Sequence, residues 1–288
     1  MAFWLELAMA GVVSGLIIGL MALSITLVFG IARFPNAAAG DIMTAGAYGA
    51  LLGHQMTGIL IIGGLVGAAV GALLGVTSYW LVFRRLAGRA AVAMLVASIG
   101  IGFMIRAVLG VLFGHAQQVF QLPLVRPWRI EGVRLHPNDL TLAGVALSAL
   151  ALVFTVLYLT PVGRRMRAVA DNPALARVSG ISPERVMVAL WLLAGAIAAV
   201  AGCMLGAKTV VSPEVGWDML LPAFAATILG GIGNPLGAVV AGLILGIAQE
   251  LATPFVGFTY KLALSFGVIL VVLLIKPRGL FGSVEAVR

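Results

Sequence analysis

The sequence predicts an all-α polytopic membrane protein whose residues 1–288 form a single transmembrane domain. Of its 288 residues, 62% are apolar, only 10% are charged and 37 are glycines. A transmembrane helix needs roughly 20 apolar residues, so the chain has room for about eight or nine transmembrane or half-membrane helices. The glycines fit helices that pack closely in lipid, because small residues let two backbones approach each other.

The apolar segments locate these helices. Two of them, 41–55 and 218–232, are short and interrupted by glycine, so we consider them as half-helices or re-entrant segments. A weak similarity between 63–80 and 233–251 indicates an inverted repeat, although glycine-rich helices also resemble one another by chance. The predicted segments are 8–30, 41–55, 58–83, 91–113, 140–160, 187–207, 218–232, 237–252 and 259–275.

The charged loops predict how the chain is oriented. Its formal charge of +8 comes from arginines concentrated in loops, a pattern typical of cytoplasmic Lys and Arg rather than of nucleic-acid binding. Basic clusters at 84–89, 164–185 and 276–288 are separated by even numbers of apolar segments. We therefore expect a multi-pass membrane protein with the N-terminus outside and the C-terminus in the cytoplasm.

One loop does not follow this charge rule. Residues 114–139 carry Arg126, Arg129 and Arg134, yet the other loops place them on the external side. The segment contains prolines and a β-like stretch, which predicts a small external hairpin. It either touches a docking partner or only connects two helices.

A polar, arginine-dense insert, TPVGRRMRAVADNPALARVSGISPER, runs from Thr160 to Arg185 between two long apolar segments. A short amphipathic helix is predicted over 164–170. Asp171 and Asn172 are then helix-capping types, Pro173 suits the first position of a second helix, and Gly180 is a natural stop. An insert this polar must lie outside the bilayer. We define residues 160–186 as the coupling loop, on which a soluble partner could act.

The segment FPNAAAGDIMTAGAYGA (34–50) is a second candidate site, because Asn36 and Gly40 interrupt its apolar periodicity. Broken helices at membrane depth are tolerated where they line a cavity, so this segment is expected to form part of a pore wall. Asp41 itself is expected to cap the N-terminus of the following helix.

Arg106 lies inside an apolar segment, where a charge is costly and marks a functional site by default. It could contact substrate, pair with Glu250 or Asp218, or extend towards the outer interface. The Gly-Asn-Pro turn in LGGIGNPLGA (229–238) is expected to join two half-buried helices. The pore and broken-helix candidates are Asn36, Gly40, Asp41, Tyr48, Arg106, Gly230, Gly231 and Asn234.

No catalytic residue, metal or cofactor is expected on this chain. The segment GCMLGAKT (202–209) resembles a phosphate loop, but Ala207 separates Gly206 from Lys208 and breaks the motif. The histidines at 54, 115 and 136 are scattered, without metal-ligand spacing. These absences argue against a membrane-embedded enzyme.

The motifs together resemble the permease subunits of bacterial branched-chain amino acid ABC importers, the LivH-type family, over essentially the whole length. Asn36 to Asp41 and GAY at 46–48 resemble its broken segment, although many members carry His where this chain has Ala39. The coupling loop resembles the family pattern G-R-x-x-R-A-V-A-x-[DN]-P-x-x-A-x-x-x-G-I. LGGIGNPLGAVVAGLILG (229–246) and KPRGLFG (276–282) resemble its closing motifs.

The resemblance implies that the coupling loop docks in a groove of an ATPase subunit. It further implies two ABC ATPase subunits that bind the ATP, a periplasmic substrate-binding protein and a second related permease subunit, or a homodimer, within the membrane lipid. The residues assigned to ATPase coupling are Arg164, Arg165, Arg167, Ala168, Asp171, Asn172, Pro173, Ala176, Arg177 and Gly180.

Two alternatives remain open. One is the same importer class acting on other amino acids, urea or short amides, since a pore wall of Gly, Ala, Leu and Met fits a small solute without strong charge. The other is an ion-coupled secondary transporter. That class needs several acidic or histidine side chains deep in the apolar segments, and these segments have few.

Overall fold

Helices account for nearly all of the structure, a computed structural model that describes residues 2–123, 125–130, 133–257, 260–276 and 279–282. The prediction of an all-α polytopic protein is confirmed. The helices are α1 (Ala2–Ala32), α2 (Ala38–Thr57), α3 (Leu60–Ser78), α4 (Ala91–Phe113), α5 (Pro137–Phe154), α6 (Pro161–Asp171), α7 (Pro173–Val178), α8 (Pro183–Lys208), α9 (Val215–Gly230), α10 (Pro235–Val256) and α11 (Lys261–Ile275).

Six of the helices in the described ranges are long and apolar enough to cross a membrane: α1, α3, α4, α5, α8 and α10. Short π-helical turns, Tyr79–Phe83 and Thr155–Leu159, continue α3 and α5. The helices α9 and α11 are apolar but shorter. Each of the nine predicted apolar segments corresponds to one helix, and α6 and α7 lie in the polar insert between α5 and α8.

The loop between α4 and α5 contains the predicted hairpin. Strands β1 (Trp128–Ile130) and β2 (Val133–Leu135) pair antiparallel. The loop is also tied to the connection between α8 and α9, because Gln118 and Val211 exchange two backbone hydrogen bonds of 2.8 Å. A third tie reaches α1, where the carboxylate of Glu6 accepts a 2.7 Å hydrogen bond from the backbone N–H of Arg134.

Glycines allow the central helices to touch along their backbones. On α3, a Cβ added to Gly63 or to Gly67 would lie 2.5 Å from a carbonyl oxygen of α2. On α1, a Cβ added to Gly15 would lie 2.8 Å from the Cα of Leu243 on α10. Close approach of this kind holds helices together in lipid by dispersion, since burial of apolar surface drives little association there.

The helix contacts repeat in two halves of the chain. Helix α1 packs on α10 as α8 packs on α3, and α2 packs on α3 and α8 as α9 packs on α10 and α1. Likewise α4 packs on α2 as α11 packs on α9. Exchanging α1–α4 with α8–α11 therefore reproduces the main packing partners of each helix. It also matches α3 with α10, the two helices whose sequences are similar.

The two halves are inverted with respect to each other. Ser14, early in α1, contacts Lys208 at the end of α8, whereas Ser24, later in α1, donates a 2.8 Å hydrogen bond to the carbonyl oxygen of Ala194. The equivalent helices α1 and α8 are thus antiparallel. This arrangement is the inverted repeat that the sequence similarity indicates, and transporters commonly contain such repeats.

Candidate functional site

The coupling loop has the helix–break–helix structure that its sequence predicts. The Asn172 side chain caps α7, because its Oδ1 accepts 3.0 Å hydrogen bonds from the backbone N–H groups of Ala174 and Leu175. Pro173 occupies the first position of that helix, and Gly180 follows it with a φ of +81°. Asp171 is the last residue of α6 rather than a cap.

The two faces of the coupling loop differ. Met166 and Val169 of α6 are buried against the helix bundle, and so is Ala176 of α7. The guanidinium of Arg167 donates to the carbonyl oxygen of Leu157 and lies over the ring of Tyr158, 5.5 Å from its centroid. The exposed coupling residues are Arg164, Arg165, Arg167, Asp171, Asn172, Pro173, Arg177 and Gly180, while Ala168 is half-buried.

A second tie joins the coupling loop to α1. The Nη2 of Arg33 donates a 3.0 Å hydrogen bond to the carbonyl oxygen of Ala170, near the end of α6. Arg33 directly follows α1, and its φ of +59° makes it the only non-glycine residue with a positive φ in the described ranges. Sequence reasoning missed this residue. The available signal was a single arginine between an apolar helix and the broken segment.

The broken segment connects α1 to α2. Phe34 is buried against the rings of Phe83 and Trp191, with centroid distances of 5.1 and 6.2 Å. The backbone N–H of Ala38, at the start of α2, donates a 3.2 Å hydrogen bond to the Oδ1 of Asn36. Asn36 therefore satisfies the first helical donor that lacks a partner within the helix.

Helices α2 and α9 meet at their N-terminal ends. A Cβ added to Gly40 would lie 2.6 Å from the carbonyl oxygen of Gly216, and one added to Gly216 would overlap the carbonyl oxygen of Gly40. The Oγ1 of Thr44 also accepts a 3.0 Å hydrogen bond from the backbone N–H of Gly216. Both helices belong to the short, glycine-interrupted segments that the sequence identified, and they are equivalent in the inverted repeat.

Two predictions about the ionisable residues are wrong. Asp41 does not cap α2, because the helix begins at Ala38 and the carboxylate points to α4 instead. Its Oδ1 lies 3.0 Å from the Nε and 2.9 Å from the Nη2 of Arg106. Arg106 does form an ion pair, but with Asp41 rather than with Glu250 or Asp218. Asp41 is fully buried, and 17% of the Arg106 side chain is exposed.

Glu250 belongs to a separate polar network. It forms a 2.8 Å ion pair with Lys261, and its other carboxylate oxygen accepts a 2.9 Å hydrogen bond from Ser14. The ammonium of Lys208 in turn donates to Ser14 at 2.7 Å and to the carbonyl oxygen of Ala10 at 3.1 Å. The network joins α1, α8, α10 and α11, so Glu250 is not available to Arg106.

The Gly-Asn-Pro turn holds the C-terminal segment. The backbone N–H of Leu280 donates a 2.7 Å hydrogen bond to the carbonyl oxygen of Leu229. The Asn234 side chain caps α10 through Gly237 and donates a 3.0 Å hydrogen bond to the carbonyl oxygen of Phe281. The turn thus joins the two closing motifs. A Cβ added to Gly279 would lie only 2.5 Å from the backbone nitrogen of Gly231.

The remaining pore candidate, Tyr48, is buried and stacks on Phe113 with ring centroids 4.5 Å apart. No cluster of His, Cys, Asp or Glu that could hold a metal occurs among the residues the structure describes. An inverted helical repeat, two glycine-containing helices that cross closely near their N-terminal ends and a folded polar insert define the class of multi-pass membrane transport proteins.

The chain belongs to the family described as the permease component of branched-chain amino acid transport systems, whose family model matches residues 7–273. LivH of Escherichia coli K12, a high-affinity branched-chain amino acid transport permease, is 29% identical over 98% of this chain and 97% of its own length. LivM of the same organism is 26% identical over 91% of this chain and 67% of its own length.

Solved structures support the fold. PsaBC from Streptococcus pneumoniae, in complex with an Fab, matches with a TM-score of 0.54. The alignment covers 93% of this chain and 91% of that chain, at 13% sequence identity. At this identity the similarity shows a common helical architecture.

Proposed function

We propose that the chain is a permease subunit of an ATP-driven importer for amino acids, most specifically branched-chain amino acids, in the bacterial inner membrane. Two separate ABC ATPase subunits supply the energy, a periplasmic binding protein delivers the substrate, and a second permease copy or a related subunit completes the pathway. The family membership supports this assignment, and the names of the relatives supply its substrate class.

The folded coupling loop is the observation that carries the proposal. It presents exposed arginines on one side, while the other side is fixed to the bundle through Arg167 and Arg33. When a soluble partner displaces such a loop, these contacts transmit the displacement to α5 and α1. Movement would then follow as a rigid-body shift of helices that opens the two sides alternately.

The position of the basic groups supports a cytoplasmic coupling loop. Arg84, which follows α3, forms an ion pair with Glu184 at the start of α8, directly after the loop. Arg33 reaches the same loop from the end of α1. The basic residues of three separate segments therefore gather at one end of the bundle, which favours the cytoplasmic side for this end and the external side for the N-terminus.

The broken segment supports the proposed pathway. The helices α2 and α9 meet at Gly40 and Gly216, next to the buried Asp41–Arg106 pair. Asp41 is also the only fully buried acidic side chain in the described ranges, and an arginine already neutralises it. This gives little support to an ion-coupled secondary transporter, which would use such carboxylates to carry its driving ion.

The test is reconstitution of the chain with its ATPase, permease and binding-protein partners in liposomes. Replacing residues 167–176 with a flexible Gly/Ser linker should abolish ATP-driven leucine uptake while membrane insertion stays normal. Replacing 87–90, an exposed turn at the same end of the bundle, serves as the control and should leave uptake intact. Uptake by the purified chain alone under an ion gradient would refute the proposal.

A further inference from the structure

Arg106 carries a free hydrogen-bonding edge. Its Nε donates to the Oδ1 of Asp41 and its Nη2 lies 2.9 Å from the same oxygen, and within the described part of the chain its Nη1 forms no hydrogen bond with the protein. Because the guanidinium carries five N–H donors in a fixed fork, this pairing leaves at least the two donors of Nη1 for another group. A carboxylate is the group that matches them best.

Two aromatic rings flank this edge. The guanidinium carbon of Arg106 lies 4.7 Å from the ring centroid of Trp217 and 5.3 Å from that of Phe103. The rings are themselves 6.0 Å apart, and both are exposed, Phe103 to 54% and Trp217 to 39%. They form an open apolar surface beside the positive charge.

An exposed carboxylate completes the cluster. Asp218 directly follows Trp217, whose ring lies over the Arg106 guanidinium, and its side chain is exposed. The surrounding face of α4 is apolar, with Met104 exposed to 70% and Val111 to 86%. Because ionisable groups beside lipid are costly, a cation and an anion on this face indicate that water or a polar ligand covers them.

We infer that Phe103, Arg106, Trp217 and Asp218 form a contact site for a zwitterionic α-amino acid with an apolar side chain. Arg106 receives the carboxylate, Asp218 receives the ammonium, and the two rings contact the side chain. Asp41 is a positioning residue, since it holds the guanidinium without contacting the ligand. This inference rests on the proposed function and specifies where the substrate touches the pathway.

The charges discriminate between ligand classes. A zwitterion satisfies both ends of the site, whereas urea or a short amide satisfies neither charge. A site built around paired charges rejects a ligand that lacks them, because its own charged groups then stay unpaired. The site therefore favours amino acids over neutral amides.

Cysteine accessibility in the reconstituted transporter tests the site. After replacement of the buried Cys203, Phe103→Cys should react with a hydrophilic thiol reagent, and millimolar leucine should slow the reaction severalfold. The amide isovaleramide should not protect it. Met104→Cys, one residue along the same helix, is the control and should show no protection. A Phe103→Cys that is inert to the hydrophilic reagent, or that leucine fails to protect, would overturn the inference.

A second measurement separates this inference from the proposed function. At saturating binding protein, Asp218→Asn should lower the leucine uptake rate about tenfold or more, whereas Glu214→Gln on the adjacent turn should not. If the unaltered complex shows no ATP-driven uptake, the proposed function fails. If it transports normally and Asp218→Asn does too, only the ammonium contact is refuted.

Discussion

The guanidinium of Arg33 donates a hydrogen bond to the backbone carbonyl oxygen of Ala170, across 137 positions of sequence. It thereby caps the C-terminal end of α6, where carbonyl groups lack partners within the helix. The same residue ends α1 in a left-handed conformation and precedes the broken segment. Arg33 thus links the coupling loop to the segment that leads into α2, the helix that carries Asp41.

Arg33→Gly should distinguish the effect of losing the hydrogen bond to Ala170 from the effect of the backbone strain at position 33. Glycine adopts a positive φ at no steric cost, so the lost hydrogen bond and the relieved strain, each about 1 kcal/mol, should nearly cancel in the free energy of unfolding. Uptake per ATP hydrolysed should nevertheless fall severalfold, as it should for Arg33→Ala. The measurement is leucine uptake and phosphate release on the same liposomes. Unchanged coupling in both variants would show that the link transmits nothing.

Gly216→Ala should destabilise the chain by about 3 kcal/mol or more, since the added methyl would overlap a backbone oxygen of Gly40 that cannot move cheaply. Gly144→Ala is the matched control, because no atom lies within 4 Å of its added Cβ and alanine favours the helix. Thermal unfolding in detergent measures both. Equal stability of the two variants would contradict the close crossing of α2 and α9.

Asp41→Asn should cost about 3–5 kcal/mol, because it leaves the Arg106 charge mostly buried without its counter-ion. The double variant Asp41→Asn with Arg106→Gln should recover much of this loss. The check is a double-mutant cycle on the free energy of unfolding, from the two single variants and the double. A coupling energy near zero would mean that the ion pair contributes nothing to the fold.

Asn234→Ala should free the C-terminal segment. It removes both the α10 cap and the donor to Phe281, at a cost of about 2 kcal/mol in total. Limited trypsin digestion after Arg278, which precedes Gly279, should then become several times faster, since the Lys276–Pro277 bond is not a trypsin site. Asn234→Asp keeps the cap oxygen but lacks the amide donor, so we expect intermediate protection. Cleavage at the unaltered rate in Asn234→Ala would argue against this anchoring.

Local features could be predicted from the sequence. The cap at Asn172, the helix start at Pro173 and the stop at Gly180 depend on neighbouring residues only, and the structure confirms each of them. The apolar segments could be predicted for the same reason, because helix length and hydropathy are properties of a contiguous stretch.

Partners between helices could not be predicted in this way. The pairing of Asp41 with Arg106 depends on how α2 and α4 are rotated about their axes. That rotation is set mainly by packing against other helices, which the local sequence does not reveal. The position of Asp41 after Gly40 predicts a cap, but the helix begins three residues earlier, at Ala38. The role of Arg33 depends on a backbone conformation that arginine rarely adopts.

Helices α1–α4 and α8–α11 have equivalent packing partners. The inverted repeat therefore implies a second conformation, in which the two halves exchange their local shapes. The two halves share an architecture while their sequences are similar only in α3 and α10, so each half can adopt the local shape that the other now has. Such an exchange would reverse the side of the membrane to which the pathway opens, while the chain kept its topology and the helices kept equivalent main packing partners. A protein built this way can face either compartment without needing a second fold.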